Sequence, residues 1–357
     1  MSERISGEGR FRGLHGEGVV RLSLGGCATL RATIHAMKIL VVGSLNVDYV
    51  LDVDGSPQND GSLMVRSTTI APGGHAGNCA SALSRLGARV SIASAVGDDA
   101  DGEMLREDLK ARGISTAHLH TYAGATTGRV FIPLFSDSHY MLMDRGANER
   151  LTAANVQAAL SDEWDAIVVF DPSIVALIAL FETIVWRTSP PRIFWTPGGL
   201  YARQSVVENL LSTCDVVLLN RHEYALVASR VPLVAPQGGK PEIVQTLGAD
   251  GAILWIDEKG IRASAPRATA IDPTGAGDTF AATYVVASLA GLAPDLRLGL
   301  ANLAGALAVT ALGARGMQPT LDMLLEAALE TDIVVSGVEK DAGFNTDIVL
   351  IRQEMTT

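Results

Sequence analysis

A carboxylate embedded in a glycine-rich turn is the side chain best placed to do chemistry in this chain of 357 residues. Asp278 lies in the segment Asp272-Pro273-Thr274-Gly275-Ala276-Gly277-Asp278-Thr279-Phe280, between a predicted strand region and an apolar helix. Glycines at a helix N-terminus let backbone N–H groups converge on an anion, which the helix dipole also favours. An acid in such a cradle makes sense as the base that takes a proton from an attacking hydroxyl during phosphoryl transfer. The alternative interpretation is a helix-capping turn with an aspartate in its first turn.

Four other polar or glycine-rich clusters lie at the ends of predicted strands or helices. They are Gly43-Ser44-Leu45-Asn46-Val47-Asp48, Pro72-Gly73-Gly74-His75-Ala76-Gly77-Asn78, Asn220-x-x-Glu223 and Thr246-Leu247-Gly248-Ala249-Asp250-Gly251. Ligands of open α/β sheets bind beyond the carboxyl ends of the strands. The clusters therefore indicate one ligand crevice better than they indicate unrelated turns.

The elements that must position these clusters alternate between strand and helix from Met37 onward. The predicted strands are Lys38–Val42, Val90–Ala95, Ala166–Phe170, Pro191–Trp195, Val216–Leu219 and Ala252–Ile256, and the predicted helices are Ala76–Leu86, Gly102–Arg112, Thr279–Leu292 and Ala301–Leu312. Strands that alternate with helices predict an α/β fold with a parallel sheet covered by helices on both faces.

Two segments, Val50–Ile70 and Leu119–Met143, depart from this rhythm because apolar and polar residues alternate along them. Alternation of this kind is typical of strands with one exposed face. We predict that the two segments form a small β-sheet, called the lid below, that covers a ligand site at the carboxyl ends of the parallel strands.

These motifs together resemble the ribokinase (PfkB) family of carbohydrate and nucleoside kinases, over about residues 37–330. The C-terminal signature of that family is matched by Asp272–Phe280, with Thr283 as a small departure where Ala or Gly is usual. The N-terminal signature is matched, in the family's order, by Gly73-Gly74, Asn78, Leu86-Gly87-Ala88 and Val96-Gly97-Asp98-Asp99. The resemblance implies a ribokinase-like fold, doubly wound and mostly parallel, with a small β-sheet lid. Lid sheets in this family often pair between subunits, and the alternating strands of Val50–Ile70 would suit a homodimer of that kind.

The resemblance also implies the roles of the residues around Asp278. Asp278 would be the catalytic base, and the backbone N–H groups of Gly275, Ala276 and Gly277 would form an anion hole for the transferred phosphoryl group. ATP is implied as the co-substrate, together with Mg²⁺ and a monovalent cation such as K⁺.

The remaining matched residues divide between the nucleotide and the acceptor. On the nucleotide side the family's motifs imply Asn220, Glu223, Thr246, Gly248, Gly251 and Asn302, with Glu223 helping to place Mg²⁺ through water. On the acceptor side they imply Asn46, Asp48, Gly74, His75, Asn78 and Asp171. Ribokinases commonly have Lys at the position of His75, so a contact with the acceptor and a place on the polar rim both stay open for it. A structural turn is the favoured interpretation of Arg145 and Asn148, and a solvated face that of Arg129.

The sequence therefore predicts a cytoplasmic, Mg²⁺-dependent kinase that transfers the γ-phosphoryl group of ATP to a hydroxymethyl group of a small sugar, as ribokinases and fructokinases do. A nucleoside kinase, adenosine-like, is the alternative, because lid side chains could form an apolar floor under a base. Those side chains are Phe131, Phe135, Tyr140 and Met141. A non-catalytic sugar- or nucleotide-binding protein on the same fold ranks lower, because Asp278 and its glycines are present. A nicotinamide dehydrogenase would need a fingerprint that is missing after the first strand.

Composition excludes several other classes of protein. The net charge of −11, from 28 basic and 39 acidic residues, makes nucleic acid a poor partner. Three cysteines far apart in the sequence form neither a disulfide framework nor a metal-binding spacing, which fits the reducing cytoplasm. No apolar run is long enough to cross a membrane, and the run Ile174–Trp186, which contains Glu182, predicts a buried helix.

The two ends of the chain lie outside the resemblance. Residues 1–36 contain seven glycines, five arginines and three acids without a sustained helical or alternating period. We expect a disordered extension there, with Met37 as a candidate for the natural start. Residues 331–357 form a C-terminal tail of unknown role.

Overall fold

The computed structural model describes residues 8–9, 18–21, 27–56, 61–135, 140–233, 241–256 and 259–339. Its strands are β1 (Glu8–Gly9), β2 (Gly18–Arg21), β3 (Lys38–Val42), β4 (Asn46–Val53), β5 (Val65–Gly73), β6 (Arg89–Gly97), β7 (Ser115–Tyr122), β8 (Gly128–Leu134), β9 (Leu142–Asp144), β10 (Ala166–Val169), β11 (Arg192–Trp195), β12 (Val216–Asn220), β13 (Glu242–Thr246), β14 (Ala252–Ile256), β15 (Lys259–Ala263) and β16 (Ile333–Glu339). Its α-helices are α1 (Cys27–Ala36), α2 (His75–Arg85), α3 (Ala100–Ala111), α4 (Ala153–Leu160), α5 (Ile174–Val185), α6 (Gly198–Tyr201), α7 (Val206–Leu210), α8 (Arg221–Ala228), α9 (Ala276–Leu289), α10 (Pro294–Ala308) and α11 (Leu321–Glu330). Short 3₁₀ helices span Gly146–Arg150, Leu211–Thr213 and Gly248–Asp250.

Most strands join one large sheet. In the described part of the chain it has twelve strands, in the order β1-β2-β16-β15-β14-β13-β12-β11-β10-β3-β6-β7. The pairs from β13 to β7 are parallel, whereas those from β13 to β1 are antiparallel. The predicted doubly wound, mostly parallel sheet is therefore confirmed.

The direction of winding reverses between the neighbouring strands β3 and β10. From β3 the chain continues outward to β6 and β7, and from β10 it continues the other way to β11, β12 and β13. A crevice opens beyond the carboxyl ends of the two strands at such a switch point. Ser44 and Asp171 follow these two strands, so the topology places both residues at the crevice.

Buried side chains pack on both faces of this sheet. In β3, Ile39 and Val41 face a core that includes α1, α2, α9, α10 and α11, whereas Leu40 and Val42 face a core that includes α4, α5, α7 and α8. Successive strand residues point to opposite faces, so a continuously apolar strand is covered on both sides.

A second, smaller sheet forms the lid. Its strand order is β5-β4-β8-β9, with β4 antiparallel to β5 and parallel to β8. The second lid segment starts at Gly128 and not, as predicted, at Leu119. Leu119 belongs to β7, which pairs with β6 at the edge of the large sheet, and its side chain is buried in the main core. A strand at the edge of the large sheet alternates between apolar and polar residues just as a lid strand does. The pattern alone therefore could not distinguish β7 from the lid strands.

The ends of the chain contribute more to the fold than the sequence predicted. The expectation that residues 1–36 lie outside the fold is wrong for α1, where Leu30 and Ile34 are buried in the main core. These two residues are four apart and so share one helix face, but one pair is too short to register as a period. At the other end β16 pairs with β15 and with β2 and extends the large sheet. Residues 1–7, 10–17, 22–26 and 340–357 lie outside the described residues.

No helix among the described residues combines the length and the apolar character that crossing a membrane would require.

Candidate active site

The crevice at the switch point is closed at its base by hydrogen bonds to Asp171. The backbone N–H and the hydroxyl of Ser44 both donate to Asp171 Oδ1, at 3.2 and 2.7 Å. Arg145 lies 3.6 Å from Asp171 Oδ2 and donates to the Asp171 carbonyl oxygen. The carboxylate of this predicted acceptor residue is therefore part of the crevice wall and already has three polar partners.

Asn148 holds the loop that carries Asn46. Its Oδ1 accepts from the N–H of Leu45, and its Nδ2 donates to the Leu45 carbonyl and to Asn46 Oδ1, at 3.0 and 2.9 Å. These contacts support the structural interpretation of Asn148. Arg129, by contrast, is not on a freely solvated face, because its guanidinium pairs with Asp99 and Asp101.

The turn before α9, which the sequence predicts to be an anion cradle, is fixed by a left-handed glycine and by an aspartate. Gly275 has a φ of 75°, in the left-handed region, and a Cβ atom on it would lie 2.5 Å from the carbonyl oxygen of Ala314. Only glycine fits there without strain. Asp272 braces the turn by accepting from the N–H and hydroxyl of Thr274 and from the N–H of Gly313. The Ala276 N–H donates within the same turn to the Pro273 carbonyl oxygen at 3.3 Å, so the start of α9 is held by a rigid turn.

Asp278, in the first turn of α9, is 6% exposed and bonded through both carboxylate oxygens. Its Oδ1 lies 3.0 Å from Nδ1 of His75, and its Oδ2 accepts from Nδ2 of Asn78 at 2.9 Å. His75 and Asn78 stand in the first turn of α2, which begins after Gly74, a glycine with a φ of 84°. The two glycine-rich turns of the sequence therefore meet at this carboxylate.

His75 lies between the buried carboxylate and open solvent. Its side chain is 57% exposed, and its ring stacks parallel to Phe170 with centroids 6.1 Å apart. The negative charge of Asp278 raises the pKa of His75 to about 10, and Asp171 and Glu223 act in the same direction. The imidazole is therefore a cation at neutral pH, and its charge is stabilised by these three acids.

Asp48 lies close to the same group of side chains. Burial raises its pKa to about 6, and the positive charges of Arg315 and His75 oppose this shift. The carboxylate packs directly against Gly73, where any Cβ atom would collide with it. Asp48 therefore loses its charge in mildly acidic solution.

The predicted nucleotide side follows β12 and β13. Asn220 and Glu223 form a capping box at the start of α8, in which the Asn220 N–H donates to Glu223 Oε2 and the Glu223 N–H donates to Asn220 Oδ1. Burial raises the pKa of Glu223, and the positive charge of His75 opposes this. Thr246 pairs with Asn220 across the two strands, so it stands beside the capping box.

The turn after Thr246 depends on two glycines. Gly248 and Gly251 have φ values of 64° and 90°, and a Cβ atom on Gly251 would collide with the backbone at Ala263. Asn302 is buried and donates from Nδ2 to the Ala263 carbonyl oxygen at 2.8 Å, which ties α10 to the end of β15. A contact between Asn302 and an adenine base stays a prediction.

Sequence reasoning missed one residue at the centre of this arrangement. The side chain of Arg315 is 4% exposed, and it donates to Oδ1 of Asn78 and to the carbonyl oxygen of Gly73, both at 3.0 Å. It also pairs with Asp108. The signal that could have found it is an arginine between Gly313 and Gly316, directly after an apolar helix.

The side chains of the crevice would suit a Mg²⁺ ion that is coordinated mainly by water and by the phosphates of a bound nucleotide. Among the described residues, no three His, Cys, Asp or Glu side chains converge to bind a metal by themselves. Glu223 supplies a carboxylate close enough to the crevice for its pKa to respond to His75. Mg²⁺ prefers such sites, with one or two carboxylates and several waters or phosphate oxygens.

Comparison with known proteins gives a family and a fold. The model of the pfkB family carbohydrate kinases matches residues 36–321. A nucleoside kinase of Methanothermobacter thermautotrophicus is 29% identical over 262 residues, which cover 71% of this chain and 83% of the relative. A ribokinase of Haemophilus influenzae is 27% identical over 301 residues, which cover 81% of this chain and 97% of the relative.

Solved structures share the fold at lower identity. Arabidopsis thaliana ribokinase, solved with ribose and ATP, matches with a TM-score of 0.71 and 23% identity, over 83% of this chain and 99% of that one. Burkholderia thailandensis nucleoside kinase, solved with inosine, matches with a TM-score of 0.72 and 20% identity, over 83% of this chain and 98% of that one. The match to both confirms the fold of the large sheet with its lid.

Proposed function

Because the chain belongs to the pfkB family of carbohydrate kinases, and is thus an ATP-dependent kinase of sugars or nucleosides, we propose that it phosphorylates a hydroxymethyl group of a small sugar. The observation that carries the proposal is the position of Asp278. Its carboxylate lies in the first turn of α9, beside the backbone N–H groups that would bind the transferred phosphoryl group. A base and an anion hole within one helical turn are what in-line phosphoryl transfer to an alcohol requires.

In the proposed reaction, the turn before α2 would bind the acceptor and the turn before α9 would bind the phosphoryl group. The acceptor hydroxyl would lie against the α2 turn, with Asp48 and Asn78 holding neighbouring hydroxyl groups. Asp278 would take the proton of the attacking hydroxyl as the hydroxyl oxygen bonds to the γ-phosphorus of ATP. The bond between that phosphorus and the β,γ-bridging oxygen would break in the same step, and ADP would leave. The N–H groups of Gly275, Ala276 and Gly277 would stabilise the charge that develops on the phosphoryl oxygens.

The nucleotide would occupy the side of the crevice formed by β12, β13 and the turns after them. Thr246, Gly248, Gly251 and Asn302 would line that side, and Asn220 would hold Glu223 in place. Mg²⁺ bound to the phosphates would neutralise part of their charge, with Glu223 holding it through water. A requirement for K⁺ and a cytoplasmic location remain predictions.

The lid would close over the acceptor and keep water from the phosphoryl group. Its strand β4 starts at Asn46 and contains Asp48, so acceptor residues and lid share one strand. The outer strands of the lid, β5 and β9, carry exposed apolar side chains, among them Val65, Ile70 and Met143. These surfaces support the proposal of a homodimer formed through the lid, which sedimentation of the Ile70→Asp variant would test.

The test of the proposed function is a screen for acceptor-dependent ADP release over pentoses, hexoses and nucleosides. We expect turnover with one sugar to exceed turnover with the others by orders of magnitude, and the Asp278→Asn variant to lose it while it still folds and binds ATP. Asp295→Asn, which removes an acid from the first turn of α10, is the matched control and should keep full activity. Near-normal turnover in Asp278→Asn would refute the mechanism.

A nucleoside is the second candidate for the acceptor. The aromatic side chains of the lid are the observation that favours it. Phe131 stacks on Tyr49 with ring centroids 5.3 Å apart, and Phe135 meets Tyr140 edge to face at 5.7 Å. Tyr140 and Met141 are exposed, so this aromatic surface is open to a base. Turnover with inosine or adenosine that far exceeds turnover with ribose would select this candidate. No acceptor-dependent turnover at all would favour a binding protein.

A further inference from the structure

We propose that Arg315 is a positioning residue for the catalytic base, because it fixes the side-chain amide of Asn78 in the one orientation that donates to Asp278. The inference rests on the proposed role of Asp278 as base. It concerns a residue outside the sequence motifs that indicated the site, on the loop between α10 and α11.

The guanidinium of Arg315 is held by three separate elements. It donates to Oδ1 of Asn78 on α2, to the Gly73 carbonyl oxygen at the end of lid strand β5, and to the carboxylate of Asp108 on α3. Gly77 leaves the space for it, since a Cβ atom there would collide with Nη2. Burial lowers the pKa of Arg315 to about 10, against the opposing effect of Asp108, so the group is still charged at neutral pH.

The chemistry of the two partners dictates the orientation of Asn78. A guanidinium has donors only, so the atom of Asn78 that faces it must be the oxygen. The nitrogen then faces Asp278 Oδ2, where an ionised carboxylate can only accept. Without Arg315 the amide is held at its nitrogen alone, so it can tilt or rotate away from Asp278 at a lower cost in free energy.

The backbone of the same loop reaches the anion cradle. The N–H of Gly313 donates to Asp272 Oδ2, and Ala314 packs against Gly275. At the far end of the loop, Gln318 donates to the backbone carbonyl of Asn78 at 2.8 Å. Arg315 therefore stands where the loop joins the phosphoryl side of the crevice to the acceptor side.

The test compares Arg315→Met and Arg315→Lys with a matched control, Arg112→Gln. Methionine keeps the length but has no donor, and lysine can occupy only one of the three sites at a time. Arg112 pairs with the same carboxylate, Asp108, but is not bonded to Asn78 or Gly73. We expect kcat per folded molecule to fall about tenfold or more in Arg315→Met and less in Arg315→Lys, with KM for ATP within about twofold. The control should stay within about twofold of wild type in both constants.

A second measurement does not depend on turnover. The side-chain amide protons of Asn78, identified by their loss in Asn78→Ser, should exchange slowly with solvent in the wild type and rapidly in Arg315→Met. If that variant fails to fold, Arg315→Lys provides the comparison. Unchanged kcat or unchanged amide protection in a folded Arg315 variant would overturn the inference. A wild type inactive on every acceptor would refute the proposed function instead, and the amide measurement would still decide on Arg315.

Discussion

At the scale of single residues, the site centres on a carboxylate whose two oxygens are both engaged by α2. His75 and Asn78 reach Asp278 from one helical turn, so in the proposed mechanism the attacking hydroxyl would have to approach a lone pair that they leave open. A carboxylate oxygen can accept more than one hydrogen bond, so this is chemically feasible. The direction of approach is thereby restricted before any acceptor binds.

The sequence predicted the members of this group but not their bonds. Asp278, His75 and Asn78 were each identified from their motifs, yet they belong to turns far apart in the chain. Which atoms meet depends on how α2 and α9 pack against the sheet, and local patterns do not encode that. The role of Arg315 could not be predicted for the same reason. Its partners Gly73, Asn78 and Asp108 come together only in the folded protein.

We predict that replacing the Asp48 carboxylate stabilises the fold but weakens the binding of the acceptor. Because burial raises the pKa of its carboxyl to about 6, the charged form destabilises the fold above that pH. Asp48→Asn should therefore increase the free energy of unfolding at pH 8 by on the order of 1 kcal/mol. The gain should shrink as the pH falls below about 6 and vanish near the pKa of an unfolded aspartate, about 4. Acceptor KM should rise about tenfold or more.

Urea unfolding at pH 8 and pH 4, with initial rates at varied acceptor concentration, measures both effects. Asp52→Asn, at an exposed carboxylate near the far end of the same strand, should change neither quantity. A destabilised Asp48→Asn at pH 8 would show that the charged carboxylate is favourably paired rather than strained.

At the scale of elements, two glycines of one turn have different physical roles. Gly275 adopts a left-handed conformation against the backbone of Ala314, whereas Gly277 lies within α9 with open space where a Cβ would be. The first glycine is required by the fold. The second is required only if a ligand approaches the helix end closely, as the proposed anion hole implies.

Alanine substitutions should separate these roles. Gly275→Ala should lower the free energy of unfolding by about 2 kcal/mol or more, from the left-handed backbone and the collision with Ala314. Gly277→Ala should leave stability unchanged or raise it by up to about 1 kcal/mol, because alanine favours a helix. It should nevertheless reduce kcat by crowding the phosphoryl group. Denaturant unfolding and steady-state rates test the pair, and equal stability of the two variants would contradict this explanation.

At the scale of the whole molecule, the folded unit is larger than the family match. The match begins at residue 36, but α1 ends there and buries Leu30 and Ile34 in the core beneath the large sheet. The alternation of strand and helix predicted the large sheet well, because continuous apolar strands must be covered on both faces. It did not predict α1 or the place of β7, since a short helix with two buried residues and an edge strand each lack a distinctive period.

This packing predicts the effect of changes in α1. Ile34→Ala should lower the free energy of unfolding by about 2–4 kcal/mol, because it leaves a cavity at a side chain that is 1% exposed. Thr33→Ala, on the exposed side of the same helix, should cost less than about 0.5 kcal/mol. Thermal and urea unfolding of the full chain distinguish the two. If both variants unfold like the wild type, α1 does not contribute to the stable core.

The pairing of β2 with β16 has a consequence for folding during synthesis. These strands stand at opposite ends of the described chain, yet they are hydrogen-bonded neighbours in the large sheet. Strand β2 is synthesised well before β16, so it remains without this partner until most of the described chain has been made. Contacts so distant in sequence slow the last step of folding. This edge of the sheet is therefore the last part to close, and until then it offers unpaired backbone to chaperones or to other nascent chains.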